Sequence, residues 1–134
     1  IKKALSIAPQ AVYKARDYVL VYRSKQEILD LQINRAQFDQ INLDPGGVVV
    51  TAVGDHCDFV SRFFTPQATI LEDPVTGSAH CSLVPFWAEQ LQKNELDAQQ
   101  RSQRGGVLKC RLVGDQVFLV GQARTYAVGS LWTE

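Results

Sequence analysis

The apolar positions along the chain follow two different periods, and together they predict strands near both ends with one strongly apolar helix between them. Short runs of β-branched and aromatic residues, bounded by turn-forming residues, are typical of buried strands. A Gly-Asp pair at 114–115, lying between two such runs, predicts a tight hairpin. The predicted strands are 18–22, 48–53, 59–64, 107–113, 116–121 and 123–128.

A helix with a wide apolar surface is predicted to follow the polar turn at residues 72–78. Because proline is tolerated only in the first turn of a helix, Pro85 predicts either a regular helix that begins near Ser82 or a kink at Pro85. A second helix is predicted after Ser24, since Ser24 and Glu27 have the spacing of a capping box. The apolar side chains at helical spacing are Leu83, Phe86, Trp87 and Leu91, extended by Ala79, Cys81, Val84 and Ala88.

Two polar segments are predicted to lack regular structure. Residues 44–47 spell Asp-Pro-Gly-Gly, which is turn chemistry, and the glutamine-rich stretch 90–104 is predicted to be a solvated helix end and loop. With strands towards both ends and one apolar helix to bury, we expect an α+β domain. In it a curved, mostly antiparallel sheet, a roll or barrel, wraps around the central helix.

Composition and charge argue against several classes of protein. The 134 residues suffice for one domain with one core, and fourteen basic residues balance fourteen acidic ones, so no bulk field attracts nucleic acid. No apolar run approaches the length that a membrane span requires. The widely spaced Cys57, Cys81 and Cys110 predict reduced thiols in the cytoplasm. Methionine is absent even at position 1, which suggests a processed or shortened product.

The segment 72–80 carries the candidate chemistry. It reads Glu-Asp-Pro-Val-Thr-Gly-Ser-Ala-His and lies between a predicted strand and the apolar helix. The first amides of a helix have no intrahelical partner, and the helix dipole places partial positive charge there. A glycine lets a ligand approach these amides, so the turn is suited to hold a carboxylate or phosphate. The alternative is that Thr76 or Ser78 simply caps the helix and Gly77 relieves a tight turn.

The same segment resembles the C-terminal signature of the PhzF-like (phenazine biosynthesis-like) isomerase family. The resemblance extends in the same order over much of the chain, most densely from about residue 58 to residue 123. A nine-residue motif with ordered flanking matches is specific, and it favours the anion site over the capping alternative. The matching segments are 61–66, 72–80, 85–88, 102–106 and 121–123.

The resemblance implies a fold and an activity. Family members resemble diaminopimelate epimerase, with two similar lobes that each wrap a curved sheet around a helix, and an active site in the cleft between them. The activity implied is isomerisation of a small carboxylated metabolite by proton transfer, without cofactor or metal. The general acid/base is a glutamate of the N-terminal lobe, which has no counterpart in this sequence. The resemblance therefore implies that residues 1–134 form the C-terminal lobe and that the N-terminal lobe is missing.

Roles for individual residues follow from the same resemblance. Asp73 matches a carboxylate that contacts polar groups of the substrate, and Ser78 matches a hydroxyl near the reacting centre, so both are candidate catalytic residues. His80 is either a substrate contact or a packed histidine behind the site. The implied substrate-binding residues are Thr76, Gly77, Ser78, Ala79 and His80.

Three other side chains have weaker claims. Arg62 pairs with Asp73 or Glu72 to orient the turn, or else it is solvated at a strand edge. Arg104 approaches the ligand, or belongs to a hairpin lead-in, which is the simpler explanation. Cys81 lies after the turn, whereas the two-thiol racemases of this fold have a cysteine within the equivalent turn, shortly before the Thr-Gly pair. We therefore expect Cys81 to be a small hydrophobic residue and not a catalytic thiol.

Two other functions remain open at this point. The chain, alone or as a homodimer, could be a non-catalytic module that binds a small anion. It could also be an inactive structural fragment with an open cleft. Partners expected under the leading hypothesis are a small carboxylated substrate and the N-terminal lobe of the same protein, with no nucleic acid and no membrane.

Overall fold

The structure, a computed structural model, describes residues 2–43 and 46–133. It contains a short 3-10 turn at Lys2–Ala4, three α-helices and eight strands. The helices are α1 (Lys25–Asp30), α2 (Arg35–Phe38) and α3 (Gly77–Leu91). The strands are β1 (Ala11–Lys14), β2 (Tyr18–Val21), β3 (Val48–Val53), β4 (Phe59–Phe64), β5 (Glu72–Asp73), β6 (Glu95–Gln100), β7 (Gly106–Val113) and β8 (Gln116–Val120).

All eight strands form one sheet, in the order β1-β2-β3-β4-β6-β7-β8, with β5 paired to β4 outside this path. Two neighbouring pairs are parallel, β2 with β3 and β4 with β6, and the other pairs are antiparallel. The sheet stays open, because β1 and β8 lie at opposite ends of the order. The expected mostly antiparallel sheet is confirmed.

The sheet curves around α3, and both of its edges reach the helix. Tyr13 of β1 contacts Phe86 of α3, with ring centroids 5.5 Å apart, while Leu119 of β8 packs against the same core. Trp87 stacks on Phe59 of β4 at 5.8 Å. The buried side chains of this core include Val49, Phe63, Leu83, Val84, Ala88, Leu96, Ala98 and Leu108. A single helix is thus buried by a sheet that would otherwise expose its apolar face to water.

The opposite face of the sheet has its own core beneath α1 and α2. Alternation along β4 divides the two cores, since Phe59 and Phe63 face α3 whereas Val60 and Phe64 face away from it. Ile28 of α1 and Phe38 of α2 are fully buried on that side. Fully burying side chains of this size stabilises the fold by roughly 1.5–3 kcal/mol each.

The predicted strands near residues 18, 48, 59, 107 and 116 are present, as is the hairpin, whose Gly114 has a φ of +58°. Two other predictions were wrong. The stretch 90–104, expected to be a solvated helix end and loop, contains the end of α3 but also β6, an inner strand between β4 and β7. Residues 123–128, expected to form a last strand, have no regular structure, and side chains such as Tyr126 and Trp132 are exposed.

Helix α3 also differs from the prediction, because it begins at Gly77 and continues through Pro85. The expected start near Ser82 was therefore wrong. Proline removes the hydrogen bond that residue 85 would donate to the carbonyl of Cys81. Cys81 lies on the exposed side of α3, contrary to the burial expected for it, and there water can hydrate that carbonyl.

The predicted start of α1 is confirmed, since the Ser24 hydroxyl accepts a hydrogen bond of 3.2 Å from the Glu27 amide. Asp44 and Pro45 of the predicted 44–47 turn lie outside the described residues. Among the helices that the structure describes, none combines the length and the apolar character needed to cross a membrane.

Candidate anion-binding site

The candidate site lies where β5 leads into α3. Strand β5 pairs with the end of β4, so that Asp73 lies opposite Phe63 and Glu72 opposite Phe64. Three residues after Asp73, Thr76 takes an extended conformation and forms the N-terminal boundary of α3. The expected strand–turn–helix arrangement is present, and its turn starts as a short strand.

The hydroxyl of Thr76 points away from the helix that it precedes. It donates a hydrogen bond of 2.5 Å to Oδ2 of Asp73. Within residues 2–43 and 46–133, no side chain caps the start of α3, so the amides of Gly77, Ser78 and Ala79 keep their hydrogen-bonding capacity. Gly77 and Ser78 are exposed. The arrangement thus differs from the capping alternative considered for this segment.

Packing within the described structure does not require a glycine at position 77. A Cβ atom built on Gly77 would meet only Cδ1 of Leu119, at 3.9 Å, and its φ lies outside the left-handed region. A glycine that neither packing nor backbone conformation demands instead leaves free space beside the exposed helix amides. That space allows a ligand to approach the backbone closely.

Gln100 at the end of β6 holds the turn from inside the protein. Its Oε1 accepts a hydrogen bond of 2.8 Å from the Thr76 amide. Its Nε2 donates to the carbonyl of Asp73 at 2.7 Å and to the Thr76 hydroxyl at 3.1 Å. The residue is 1% exposed. Because a backbone N–H can only donate, these bonds also fix which end of the amide carries the oxygen.

The loop between β6 and β7 also contacts the turn, through hydrogen bonds and close packing. The Ser102 hydroxyl donates to the carbonyl of Pro74 at 2.8 Å and accepts from the Gly105 amide at 3.0 Å. A Cβ atom on Gly106 would lie 2.3 Å from Cγ2 of Val75. Only glycine therefore lets β7 begin this close to the turn. The sequence segment 102–106, which carries part of the family resemblance, has a structural role in holding residues 73–76.

Arg62 anchors the residue before Asp73 on the other face of the sheet. Its guanidinium forms two bonds with the Glu72 carboxylate, of 2.7 and 2.9 Å. It also donates to the carbonyls of Ile28 and Leu31 at the end of α1, at 3.0 and 3.1 Å. Of the two partners expected for Arg62, the structure shows Glu72. Since successive strand residues face opposite ways, this anchoring directs Asp73 towards the α3 side.

His80 lies inside the core beneath the turn. It is fully buried, its ring centroid is 5.8 Å from that of Phe59, and its Nδ1 is 2.8 Å from the carbonyl of Thr76. Because a carbonyl can only accept, Nδ1 carries the proton. Burial lowers the pKa of His80, only partly offset by the hydrogen bond to Thr76. This geometry agrees with the packed alternative for His80, as a neutral side chain behind the site.

Other candidate residues lie apart from this network. Cys81 is exposed one helical turn after Gly77, and Arg104 is exposed in the loop before β7. In the part of the chain that the structure describes, no three His, Cys, Asp or Glu side chains cluster closely enough to hold a metal ion.

Sequence reasoning missed Gln100 entirely, because it assigned residues 90–104 to a loop. The signal was present in the alternation of β6, where Leu96 and Ala98 point inward. Gln100 is the next inward position, and a polar residue there must find hydrogen-bond partners. The low strand propensity of glutamate, aspartate and glutamine concealed this pattern.

The chain is similar to known proteins in both sequence and structure. A family profile described as phenazine biosynthesis-like protein matches residues 2–129. A Pseudomonas aeruginosa protein named as an uncharacterized isomerase is 46% identical over 132 residues, which cover 98% of this chain and 50% of that protein. A Halalkalibacterium halodurans protein, also named as an uncharacterized isomerase, is 47% identical over 124 residues, which cover 90% of this chain and 46% of that protein. The chain spans about half the length of the curated relatives that it matches.

The fold is shared with a solved structure. A phenazine biosynthesis protein of the PhzF family from Enterococcus faecalis superposes with a TM-score of 0.87 at 38% sequence identity. The alignment covers 94% of this chain and 48% of that one. The arrangement expected from the sequence, a curved sheet around a central helix, is therefore that of a known structure.

Proposed function

The chain belongs to the family of phenazine biosynthesis-like proteins, and on that basis we propose that it is the C-terminal, substrate-anion-binding lobe of a cofactor-independent isomerase. The substrate class is a small carboxylated metabolite, and the reaction moves a proton on its carbon skeleton. Two relatives that match nearly the whole chain are named as isomerases, and each is about twice as long as the aligned segment. In this proposal residues 1–134 act together with an N-terminal lobe.

The single observation that carries the proposal is the open start of α3 beside Asp73. Gly77 and Ser78 are exposed, and the Thr76 hydroxyl is turned towards Asp73 instead of the helix. Amides of this kind, reinforced by the dipole of a 15-residue helix, favour a negatively charged ligand.

The proposed mechanism needs little from this lobe beyond charge stabilisation. A base takes a proton from a carbon near the substrate carboxylate, and the electron pair that remains spreads negative charge towards that carboxylate. The amides of Gly77, Ser78 and Ala79 stabilise this charge better than water would, because they are already oriented before the reaction. The protonated base, whose proton can exchange with solvent, then delivers a proton to another position of the carbon skeleton. The family resemblance assigns the base to a glutamate in the N-terminal lobe.

Asp73 and Ser78 have supporting roles in this proposal. The Asp73 carboxylate has one oxygen bonded to Thr76 and therefore retains acceptor capacity for a polar hydrogen of the substrate. The exposed Ser78 hydroxyl both accepts and donates, which suits a position near the reacting carbon. Thr76 contributes indirectly by holding Asp73, and His80 supports the turn from the core.

The test is solvent proton exchange in the longer protein that contains both lobes. A panel of small carboxylates is incubated in D₂O, and deuterium uptake at carbon is followed by NMR. Asp73→Asn, which preserves the size of the side chain, should lower the exchange rate by at least about 100-fold, the scale seen when one preoriented polar group is removed from a reacting centre. Asp115→Asn, in the hairpin turn between β7 and β8, serves as the matched control.

The outcomes separate the candidate functions. Exchange in the parent protein, lost in Asp73→Asn with thermal stability retained, supports the isomerase. Anion binding without deuterium uptake by any of the carboxylates would favour the non-catalytic module instead. The isolated chain of 134 residues should bind carboxylates but catalyse no exchange, because it lacks the proposed base. Exchange catalysed by this chain alone would contradict the assignment of the base to another lobe.

A further inference from the structure

We infer that Gln100 is a positioning residue that keeps the proposed anion site open by preventing Thr76 from capping α3. The inference rests on the proposed function, because it concerns the availability of the same helix amides. It assigns a purpose to a buried polar side chain that the mechanism above does not use.

The first step is the position of Thr76. A threonine immediately before a helix ordinarily turns its oxygen back and accepts a hydrogen bond from an amide two or three residues later. Here those amides belong to Ser78 and Ala79. The Thr76 hydroxyl instead donates to Asp73 and accepts from Gln100 Nε2. In the rotamer that forms these two bonds, the Thr76 hydroxyl oxygen cannot also lie near the amides of Ser78 and Ala79. The two bonds therefore exclude capping of α3 by Thr76.

The second step is that Gln100 fixes the backbone as well as the hydroxyl. Its Oε1 binds the Thr76 amide and its Nε2 binds the Asp73 carbonyl, at 2.8 and 2.7 Å. These contacts join both ends of the segment between β5 and α3. Without Gln100, the hydrogen bond from the Thr76 hydroxyl to Asp73 would lie in a turn that is free to change conformation. The hydrogen bonds of the Gln100 amide hold that turn in one conformation.

The third step is how Gln100 itself is held. Parallel pairing of β6 with β4 sets Gln100 beside Ser61, at the last residue of β6, and the side chain is 1% exposed. A buried amide loses conformational freedom and water contacts, a loss offset only by well-formed hydrogen bonds. The three bonds to residues 73 and 76 provide that compensation, so the side chain has a single favourable orientation.

The test compares Gln100→Met with Gln99→Met, a neighbouring glutamine that is partly exposed on the opposite face of β6. Methionine resembles glutamine in length but cannot form the three bonds. Amide hydrogen exchange, measured residue by residue by NMR, should show faster exchange at Thr76 in Gln100→Met only. In the same variant exchange at Ala79 should become slower, by about tenfold, as the freed Thr76 hydroxyl caps the helix.

The ligand-binding readout uses sodium acetate as the probe, titrated while the amide shifts of Gly77, Ser78 and Ala79 are followed. Acetate binding should weaken about tenfold or more in Gln100→Met and remain unchanged in Gln99→Met. Thr76→Val, which cannot cap, should cancel the effect. The double variant Gln100→Met/Thr76→Val should bind acetate as Thr76→Val alone does.

A purely structural role for Gln100 would give a different pattern. The double variant would then bind acetate more weakly than Thr76→Val, and the Ala79 amide would gain no protection; either result overturns the inference. If Gln100→Met does not fold, Gln100→Glu keeps the acceptor for the Thr76 amide, removes both donations from Nε2, and is assayed by exchange at Ala79. If acetate shifts none of the three amides in the parent protein, the proposed function fails, while exchange at Ala79 still decides the role of Gln100.

Discussion

Substitution of Gly77 by alanine should separate stability from ligand binding at the start of α3. The added methyl group would meet only Cδ1 of Leu119, at 3.9 Å, which is ordinary van der Waals contact. Alanine also restricts the unfolded chain more than glycine does. We therefore expect the free energy of unfolding to rise by about 0.4–1 kcal/mol.

The same methyl group should impair binding, because it would occupy space beside the exposed amides. A carboxylate that approaches the backbone at van der Waals distance would be displaced by a Cβ atom. We expect its affinity to fall by about tenfold or more, a cost of about 1.4 kcal/mol. Under the proposed function, proton exchange on carboxylated substrates by the longer protein should fall in parallel.

Urea unfolding followed by tryptophan fluorescence measures the stability, because Trp87 is buried in the folded protein whereas Trp132 is already exposed. Acetate titration by NMR measures the binding. Gly106→Ala serves as the contrasting control, because its Cβ atom would lie 2.3 Å from Cγ2 of Val75. Overpacking of this kind should lower the free energy of unfolding by about 1–3 kcal/mol. If Gly77→Ala destabilises the protein as Gly106→Ala does, or binds acetate as tightly as the parent, the interpretation of Gly77 is refuted.

Three further predictions concern the surroundings of the site. Burial lowers the pKa of His80 below its ordinary 6.5, so the unfolded chain binds a proton more readily than the folded protein. The free energy of unfolding should therefore fall as pH drops below about 6.5, by at most about 1.4 kcal/mol per pH unit, and His80→Gln but not His56→Gln should remove this contribution. Arg62→Met should lower the urea unfolding free energy by about 1–3 kcal/mol, less than for a fully buried pair because Arg62 and Glu72 are 15% and 23% exposed; a loss below about 0.5 kcal/mol, typical of surface pairs, would contradict this. Cys81→Ser should eliminate the fastest phase of thiol labelling in the native protein, because Cys81 is the exposed cysteine among those described, and persistence of that phase would show that another thiol is accessible.

Much of the sheet was predictable because its strong strands are rich in β-branched and aromatic residues. The runs that form β3 and β4 have this character, and each pairs over six residues in the structure. The weak strand β6, with the sequence Glu-Leu-Asp-Ala-Gln-Gln, was not predicted. Its position between β4 and β7 stabilises the strand by pairing on both sides, which local propensity cannot represent.

The length of α3 illustrates the opposite error. Pro85 suggested either a start near Ser82 or a kink, because proline in isolation disfavours a helix interior. The helix nevertheless extends from Gly77, since Ala79, His80 and Leu83 are all buried against the sheet. Packing of these side chains offsets the hydrogen bond that Pro85 cannot make.

At the candidate site, the sequence alone determined that a helix follows a strand across a polar turn, and which small and hydroxyl-bearing residues make up that turn. Those features depend on neighbours within a few positions, so the order Asp73 to Ser78 already contains them. Only the tertiary structure decided that Thr76 turns away from the helix, because the responsible amide belongs to Gln100, which reaches the turn through the pairing of β6 with β4. Hydrogen bonds between segments far apart in the chain depend on strand register, and that register is settled by the packing of the whole sheet.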